Sequence, residues 1–193
     1  MKALEEKILK EGKIYEGNIL KVDGFLNHRI DVEFLNDMGK EFFSLYRDQG
    51  INKILTIEAS GIGIACVTAL NFEPVVPAVY AKKSASKNIS GNVYSSKVYS
   101  YTHDRTYDVM VSKEHLSKED KILIIDDFLA KGAALEALVD ICNQAGAEVV
   151  GVGIVIEKAY QGGGEKLRNR GVRIESLARI ASMSVEDGIK FVK

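Results

Sequence analysis

The stretch that decides the fold is Ile122-Leu123-Ile124-Ile125-Asp126-Asp127-Phe128-Leu129-Ala130-Lys131-Gly132-Ala133-Ala134. Its first four residues are apolar and branched, which is typical of a strand buried on both faces of a sheet. Two adjacent carboxylates follow, and a loop of small residues then opens an amphipathic helix that we expect to end near Ala145-Gly146. A buried strand that feeds a helix through a short loop is the repeating unit of parallel α/β sheets.

Further apolar segments repeat this unit on either side. We predict strands at 54–57, 75–80 and 149–156, and a helix that follows the first of them and ends at Leu70. Pro77 lies inside the second strand, and because proline cannot donate to a sheet ladder, we place that strand at an edge or a bulge. The pattern predicts an α/β fold with a central, mostly parallel sheet flanked by helices.

One more amphipathic helix is predicted over 31–49. Asp31 is placed to cap its N-terminus, and Gly50 is placed to end it. The apolar residues at helical spacing, which we expect to face the core, are Val32, Leu35, Met38, Phe42 and Leu45.

The remaining segments show other patterns. Residues 82–92 are polar and non-periodic, which predicts a loop. Alternating apolar residues over 93–101 and 107–111 predict an antiparallel hairpin. Residues 1–30 and 173–193 do not follow the α/β alternation, so we expect them to pack together as a small hood lobe on a single domain that spans the chain.

Composition narrows the class of protein. The chain has 193 residues, and its 46% hydrophobic and 27% charged residues are typical of one folded domain. Its 26 Lys and Arg against 27 Asp and Glu give a net charge of −1, which predicts no general attraction to nucleic acid or to an anionic membrane. Two cysteines are too few for a disulfide framework or a four-ligand zinc site. The chain shows neither a signal peptide nor an apolar run that could span a bilayer, so we expect a cytoplasmic protein.

The acidic pair and the small-residue loop form the strongest candidate site. They follow a buried strand, and the carboxyl edge of a parallel sheet is where open α/β proteins bind ligands. Gly132 lets the backbone approach a ligand closely, and free amides at a helix N-terminus favour a phosphate. Carboxylates beside a phosphate cradle suit a ligand that also carries hydroxyl groups or a metal ion, as a sugar phosphate does. The alternative is that Asp126 and Asp127 only cap the helix and face water.

Other candidates are weaker when each is taken alone. The turn at 58–63 could bind pyrophosphate through its amides or be a plain tight turn, and it matches neither a Walker loop nor a dinucleotide fingerprint. Lys82-Lys83 could clamp an anion or be solvated. Lys158 could donate to a carbonyl or a phosphate, or be an ordinary lysine at the end of a strand. Asn27 offers a donor and an acceptor that suit the edge of a heterocycle, or is simply a turn residue. The histidines show no spacing that indicates a metal site.

Several segments together resemble the type I phosphoribosyltransferases, and in particular those that act on xanthine. They occur in the family's order at 20–28, 56–62, 124–132, 153–158 and 175–179, and the first and fourth are the most specific. The resemblance implies the type I phosphoribosyltransferase fold and a cytoplasmic homodimer. It also implies transfer of the 5-phosphoribosyl group from 5-phosphoribosyl 1-diphosphate to xanthine, which yields xanthosine 5′-phosphate and diphosphate in purine salvage. Mg²⁺ would accompany the diphosphate.

The resemblance also implies residue roles. Asp126 and Asp127, the catalytic candidates, would contact the ribose hydroxyls directly or through water and Mg²⁺. The turn at 58–61 and Lys82 or Lys83 would approach the pyrophosphate. The 5′-phosphate would be held by Ala130, Lys131, Gly132, Ala133 and Ala134, and the xanthine site would be lined by Leu20, Asn27 and Lys158. No side chain is assigned as a dedicated metal ligand.

Two departures from the family's pattern concern the phosphate loop. Lys131 stands where the family usually has asparagine, and since it adds a positive charge at a phosphate site, we expect binding to survive. Ala130 stands where many enzymes for 6-oxopurines carry an acidic residue near N7 of the base. We therefore assign no general base.

Two alternative functions stay open. The Asp-Asp-Phe-Leu-Ala sequence at 126–130 is also close to adenine enzymes, so the base could be hypoxanthine, guanine or adenine. The chain could also be a regulator that binds phosphoribosyl diphosphate without catalysis. Such regulators normally add a DNA-binding module, for which we find no room before the first α/β unit.

Overall fold

The computed structural model of the protein describes residues 1–83, 92–100 and 105–193, with only the backbone described at Ser100 and Arg105. It places α-helices at α1 (Lys2–Glu11), α2 (Val32–Tyr46), α3 (Gly61–Leu70), α4 (Ala133–Ala145) and α5 (Gly163–Arg168). The strands are β1 (Lys13–Tyr15), β2 (Ile19–Lys21), β3 (Lys53–Ile57), β4 (Ala78–Ala81), β5 (Val93–Ser100), β6 (Arg105–Ser112), β7 (Lys121–Leu129), β8 (Glu148–Lys158), β9 (Ile174–Ser184) and β10 (Gly188–Phe191). None of the helices in these ranges is long and apolar enough to cross a bilayer.

A central sheet orders its strands as β10-β9-β8-β7-β3-β4. Neighbours from β4 to β9 are parallel, and β10 adds to β9 in the antiparallel direction. Hydrophobic clusters cover both faces of this sheet. The predicted α/β class, with a mostly parallel sheet flanked by helices, is therefore confirmed.

The strand boundaries differ from prediction in two places. β4 begins at Ala78, directly after Pro77, and lies at the edge of the sheet, while Val75 stays 60% exposed. The proline contributes through its carbonyl, which accepts a hydrogen bond from the Ile54 amide at 2.9 Å. β7 extends past the predicted end at Ile125 to Leu129, because it continues to pair with β8 through the acidic residues.

Helix α2 has the predicted residues at both ends, but its α-helical part is shorter than the predicted 31–49. The Asp31 side chain caps it by accepting from the Phe34 amide at 3.2 Å, and Gly50 adopts a positive φ of 67° after a short 3₁₀ turn. Val32 was expected in the core but is 66% exposed, since it is the first residue of the helix and has no preceding turn to cover it. Tyr46 is buried instead, and its hydroxyl donates to the Val152 carbonyl at 2.9 Å.

The two ends of the chain meet on β9. The Met1 amino group donates to the Leu177 carbonyl, and Leu4 and Ile8 of α1 are fully buried in the core cluster that includes Leu177. We expected no α/β alternation in 173–193, yet β9 runs parallel to β8 within the central sheet. Polar residues interrupt the apolar pattern of this strand, which hides it in the sequence.

The predicted hairpin is confirmed as β5 paired with β6 in the antiparallel direction, from Val93 opposite Ser112 onward. It packs on α4, where the Gln144 amide nitrogen donates to the Ser95 carbonyl at 2.8 Å. Most of the predicted loop at 82–92, and Tyr101 of the predicted hairpin, lie outside the described residues.

Candidate active site at the carboxyl edge of the sheet

The chemistry-bearing residues converge where β3, β7 and β8 end. Asp126 and Asp127 lie in β7, the turn at 58–60 follows β3, and Lys158 closes β8. Parallel neighbouring strands place these ends at one edge, and the N-terminus of α4 follows there after the loop at 130–132. The edge therefore combines carboxylates, free helix amides and a lysine.

Asp126 is buried, with 7% of its surface exposed, and its Oδ1 accepts a hydrogen bond from the Asp127 amide at 3.0 Å. Burial, reinforced by the charge of Asp127 and a hydrogen bond with its side chain, raises the pKa of Asp126 well above its usual range. The charge of Lys83 opposes this shift. Burial and the neighbouring carboxylate therefore favour the neutral form of Asp126 before any ligand binds.

Asp127 is only partly buried and connects the acidic pair to the N-terminal segment. Its Oδ2 accepts a hydrogen bond from the Asn27 side-chain amide at 2.7 Å. Asn27 ends a π-helical turn over Asp23–Asn27, whose Phe25 and Leu26 are buried in the core and fix the turn in place. The contact therefore joins Asn27, predicted to line the xanthine site, to Asp127, predicted to contact the ribose.

The loop at 130–132 leads into α4 through a left-handed residue. Gly132 has a φ of 87°, a conformation that favours glycine, and has no side chain to cap the helix. Lys131 is exposed, while Ala133 and Ala134 at the start of α4 are half-buried. Amides at a helix N-terminus without a side-chain cap can bind a phosphate, as the sequence predicted for this loop.

Gly163, at the start of α5, packs against this loop. Its amide donates to the Ala130 carbonyl at 3.2 Å. A Cβ on Gly163 would lie 2.5 Å from the carbonyl carbon of Lys131 and 2.7 Å from the Gly132 nitrogen. Only glycine fits at this approach, and the sequence analysis missed it. The available signal was the run of three glycines at 162–164.

Glu157 anchors a second feature that the sequence analysis missed. It is 1% exposed, and Arg168 of α5 donates to both of its carboxylate oxygens, at 2.7 Å and 2.8 Å. Ser176 and Arg179 of β9 donate to Oε2 at 2.6 Å and 3.1 Å. Burial alone would raise the pKa of Glu157, but the hydrogen bonds from Arg168 and Ser176 outweigh it and hold the pKa below its usual range.

Lys158, the next residue, points to the N-terminal segment. Its Nζ donates to the Asn18 carbonyl at 2.6 Å and lies 5.5 Å from the centre of the Phe128 ring. Burial lowers the pKa of this lysine. Leu20, in β2, is 7% exposed and belongs to the same apolar cluster as the π-helical turn.

The turn after β3 reaches the start of the loop that follows β4. The Glu58 carboxylate accepts a hydrogen bond from the Lys83 amide at 2.6 Å, and the Glu58 amide donates to the Ala81 carbonyl at 3.1 Å. Lys82 forms a backbone bridge with Met110 of β6. The predicted pyrophosphate residues Glu58 and Lys83 are thus in direct contact.

A comparison with known proteins identifies the family. The family described as phosphoribosyl transferase domain matches residues 33–175, a span that contains the acidic pair, the loop at 130–132 and Lys158. The chain belongs to the phosphoribosyltransferase family. It is 54% identical to a xanthine phosphoribosyltransferase of Lachnoclostridium phytofermentans, over 97% of this chain and 96% of the relative. A xanthine phosphoribosyltransferase of Finegoldia magna is 52% identical, over 99% of each chain.

Solved structures of the family share the fold. The adenine phosphoribosyltransferase of Trypanosoma brucei superposes with a TM-score of 0.79 at 21% identity, over 96% of this chain and 83% of that one. The adenine phosphoribosyltransferase of Rhodothermus marinus gives a TM-score of 0.74 at 19% identity, over 93% and 99% of the two chains. The expected type I phosphoribosyltransferase fold is therefore confirmed.

The side chains at the edge fit a metal ion that arrives with the substrate. Within the described ranges, no group of three or more His, Cys, Asp or Glu side chains could hold a metal ion by itself. Mg²⁺ is commonly bound through one or two carboxylates together with substrate phosphates and water. Asp126 and Asp127 are adjacent carboxylates at this edge that could share such a site with the substrate.

Proposed function

We propose that the protein transfers the 5-phosphoribosyl group of 5-phosphoribosyl 1-diphosphate to xanthine, giving xanthosine 5′-phosphate and diphosphate in purine salvage. The family establishes the class of enzyme, a pentosyltransferase. The observation that carries the choice of base is the identity above 50% to relatives named for xanthine, over nearly the whole chain.

In the proposed reaction, a ring nitrogen of xanthine forms a bond to the anomeric carbon of the ribose as the bond to the diphosphate oxygen breaks. The electron pair of that bond leaves with the diphosphate, and the proton of the attacking nitrogen passes to solvent before or during the step. Positive charge develops on the ribose. The negative charge of the Asp126–Asp127 pair is placed to stabilise it.

The phosphate end of the substrate would lie on the amides that open α4. Residues 130–134 bind the 5′-phosphate in this proposal, with Lys131 adding a positive charge. Glu58 and Lys83 flank the diphosphate, and Mg²⁺ bound to that diphosphate would neutralise part of its charge. Holding both ends of the substrate orients the anomeric carbon, which supplies much of the rate acceleration.

The base would lie between Asn27 and Lys158, with Leu20 contributing apolar surface. Asn27 already contacts Asp127, so the base site adjoins the ribose site. Lys158 would exchange its bond to the Asn18 carbonyl for a bond to an oxygen of xanthine. We expect Lys158→Ala to raise the KM for xanthine while leaving the KM for phosphoribosyl diphosphate unchanged. Steady-state kinetics with the exposed Lys166→Ala as the control variant would measure this. An unchanged KM for xanthine would refute the assignment.

The organisation of the protein is part of the same proposal. We place a single domain over 1–193. Of the two segments predicted for the hood, 1–30 and 173–193, we assign the cover over the base mainly to 1–30, since β9 and β10 belong to the central sheet. We also propose a cytoplasmic homodimer that binds small-molecule substrates, without nucleic acid or membrane as a partner.

The proposal is tested by giving the purified protein phosphoribosyl diphosphate, Mg²⁺ and one base at a time. Xanthine, hypoxanthine, guanine, adenine and orotate are compared by release of diphosphate and formation of nucleotide. We expect xanthine to be used well above the others. A preference for another base would refute the base assignment, and no turnover with any base would favour the non-catalytic regulator.

A further inference from the structure

The Thr56 hydroxyl is buried without a partner. Thr56 lies in β3 with 1% of its surface exposed, and among the described residues its Oγ1 is the fully buried side-chain polar atom that makes no hydrogen bond. Buried hydroxyl groups almost always have a partner, because leaving one unpaired destabilises the folded protein. Thr68, which is also fully buried, shows the usual arrangement, since its Oγ1 donates to the Ile64 carbonyl at 2.8 Å.

The orphaned hydroxyl and the acidic pair both lie close to Gly61. A Cβ on Gly61 would overlap Thr56 Oγ1 and would lie 3.2 Å from Asp126 Oδ1. Both oxygens therefore lie near the same point at the N-terminus of α3. A side chain at this position would collide with the Thr56 hydroxyl, which glycine avoids. Asp126 Oδ1 already accepts one backbone amide hydrogen, from Asp127, and a carboxylate oxygen can accept a second hydrogen bond.

A role in substrate binding would explain why the Thr56 hydroxyl is unpaired beside Asp126. Unsatisfied polar groups are found preferentially at active sites, where the ligand-bound state can give them a partner. Asp126 must carry its negative charge when it stabilises the developing charge on the ribose. At that stage the carboxylate gains from every additional donor.

We propose that Thr56 is a positioning residue that donates a hydrogen bond from its hydroxyl to Asp126 when phosphoribosyl diphosphate occupies the site. This inference rests on the proposed function, and it adds a residue outside the set of substrate contacts. In the ligand-free protein the hydroxyl lowers stability. In the loaded protein it fixes the orientation of the carboxylate against the ribose. Stability and substrate binding should therefore respond to its removal with opposite signs.

The test compares Thr56→Val with Thr56→Ser and with the control Thr68→Val. Valine keeps the shape of threonine but removes the hydroxyl. We expect Thr56→Val to raise the Tm of the ligand-free protein by about 2–6 °C, because an unsatisfied group disappears. We expect its affinity for phosphoribosyl diphosphate with Mg²⁺, measured by titration calorimetry, to fall by about tenfold to a hundredfold, because a hydrogen bond to a charged group is lost.

The control and rescue variants separate positioning from packing. Thr56→Ser keeps the hydroxyl and should recover most of the affinity. Thr68→Val removes a satisfied hydroxyl far from the substrate and should leave the affinity unchanged. A Thr56→Val protein with unchanged affinity would overturn the proposal, and so would a lower Tm, which would mean that the hydroxyl is already satisfied in the free protein.

Wild-type behaviour distinguishes this proposal from the proposed function. If the wild type binds phosphoribosyl diphosphate but does not convert xanthine, the base assignment fails while the Thr56 comparison still decides its own question. If the wild type does not bind phosphoribosyl diphosphate, both proposals are refuted.

Discussion

Asp126 and Glu157 are both buried carboxylates near the carboxyl ends of neighbouring strands, β7 and β8, but their surroundings are opposite. Glu157 receives hydrogen bonds from two arginines and a serine, which hold its pKa below the usual range. Burial and an adjacent carboxylate dominate at Asp126 and raise its pKa.

The difference separates a residue that holds elements of the fold together from one that we propose is kept for a ligand. The charge of Glu157 is compensated inside the protein, and its partners connect β8 to α5 and β9. Asp126 stays poorly compensated, which is the usual signature of a functional carboxylate. Helix α5, which Glu157 binds through Arg168, also contacts the loop at 130–132 through Gly163. Glu157 therefore helps to fix the loop that follows Asp126 and Asp127.

The largest expected effect comes from neutralising the compensated residue. Glu157→Gln would leave Arg168 and Arg179 without their carboxylate, and breaking a buried ion pair in this way lowers the free energy of unfolding by about 3–5 kcal/mol. Denaturant unfolding would measure the loss. Glu136→Gln is the matched control, since Glu136 pairs with Lys166 and Arg170 nearer the surface, and its loss should be below about 1 kcal/mol. Equal losses in the two variants would contradict the distinction.

At Asp126 we expect a substitution to lower activity without lowering stability. Asp126→Asn removes the negative charge near the ribose, and kcat/KM for phosphoribosyl diphosphate should fall by about a hundredfold to a thousandfold. The free energy of unfolding should not fall, because the ionised carboxyl of Asp126 is itself unfavourable in the folded state. Kinetics and denaturation on the same preparation would measure both. A destabilised Asp126→Asn protein with normal kinetics would reverse the roles assigned to the two residues.

A smaller effect on stability and activity is expected at Gly163, where α5 contacts the loop at 130–132. Gly163→Ala would press a methyl group onto the backbone at Lys131 and Gly132, and overpacking of this kind destabilises by about 1–3 kcal/mol. We expect the KM for phosphoribosyl diphosphate to rise more than the KM for xanthine. Glu165→Ala, at an exposed position on the same helix, is the control. A uniform loss of activity without a change in either KM would argue against a role in shaping the loop.

The smallest effect is a pair of opposite pH slopes. The raised pKa of Asp126 makes its contribution to stability decline as pH rises from the usual carboxyl range toward that raised value. The lowered pKa of Glu157 makes its contribution decline as pH falls through that lowered value. In unfolding measurements between about pH 4 and pH 7, the advantage of Asp126→Asn over the wild type should therefore grow with pH. The disadvantage of Glu157→Gln should shrink only as the pH falls below the ordinary value of 4.5 toward the lowered pKa, so the measurements on this variant extend down to about pH 3. Slopes of the same sign would refute the electrostatic contrast.

The sequence predicts the strand, acidic pair, loop and helix at 122–145 well, because the pattern is local and continuously apolar. It predicts Val32 in the core wrongly, since helical spacing does not reveal that this residue begins the helix and stays exposed. The Glu157 cluster could not be derived locally, because its partners lie 11, 19 and 22 residues away on different elements. The contact between Asn27 and Asp127 spans 100 residues, and only the resemblance to the family grouped these residues in one site.

The most direct test of the central claim is a thermal shift titration with phosphoribosyl diphosphate and Mg²⁺. A ligand that binds only the folded protein raises the Tm in proportion to its binding free energy. We predict that the Tm of the wild type rises with ligand concentration and that the Tm of Asp126→Asn rises much less. The absence of a shift in the wild type, or equal shifts in the two proteins, would contradict the assignment of the acidic pair as the ribose site.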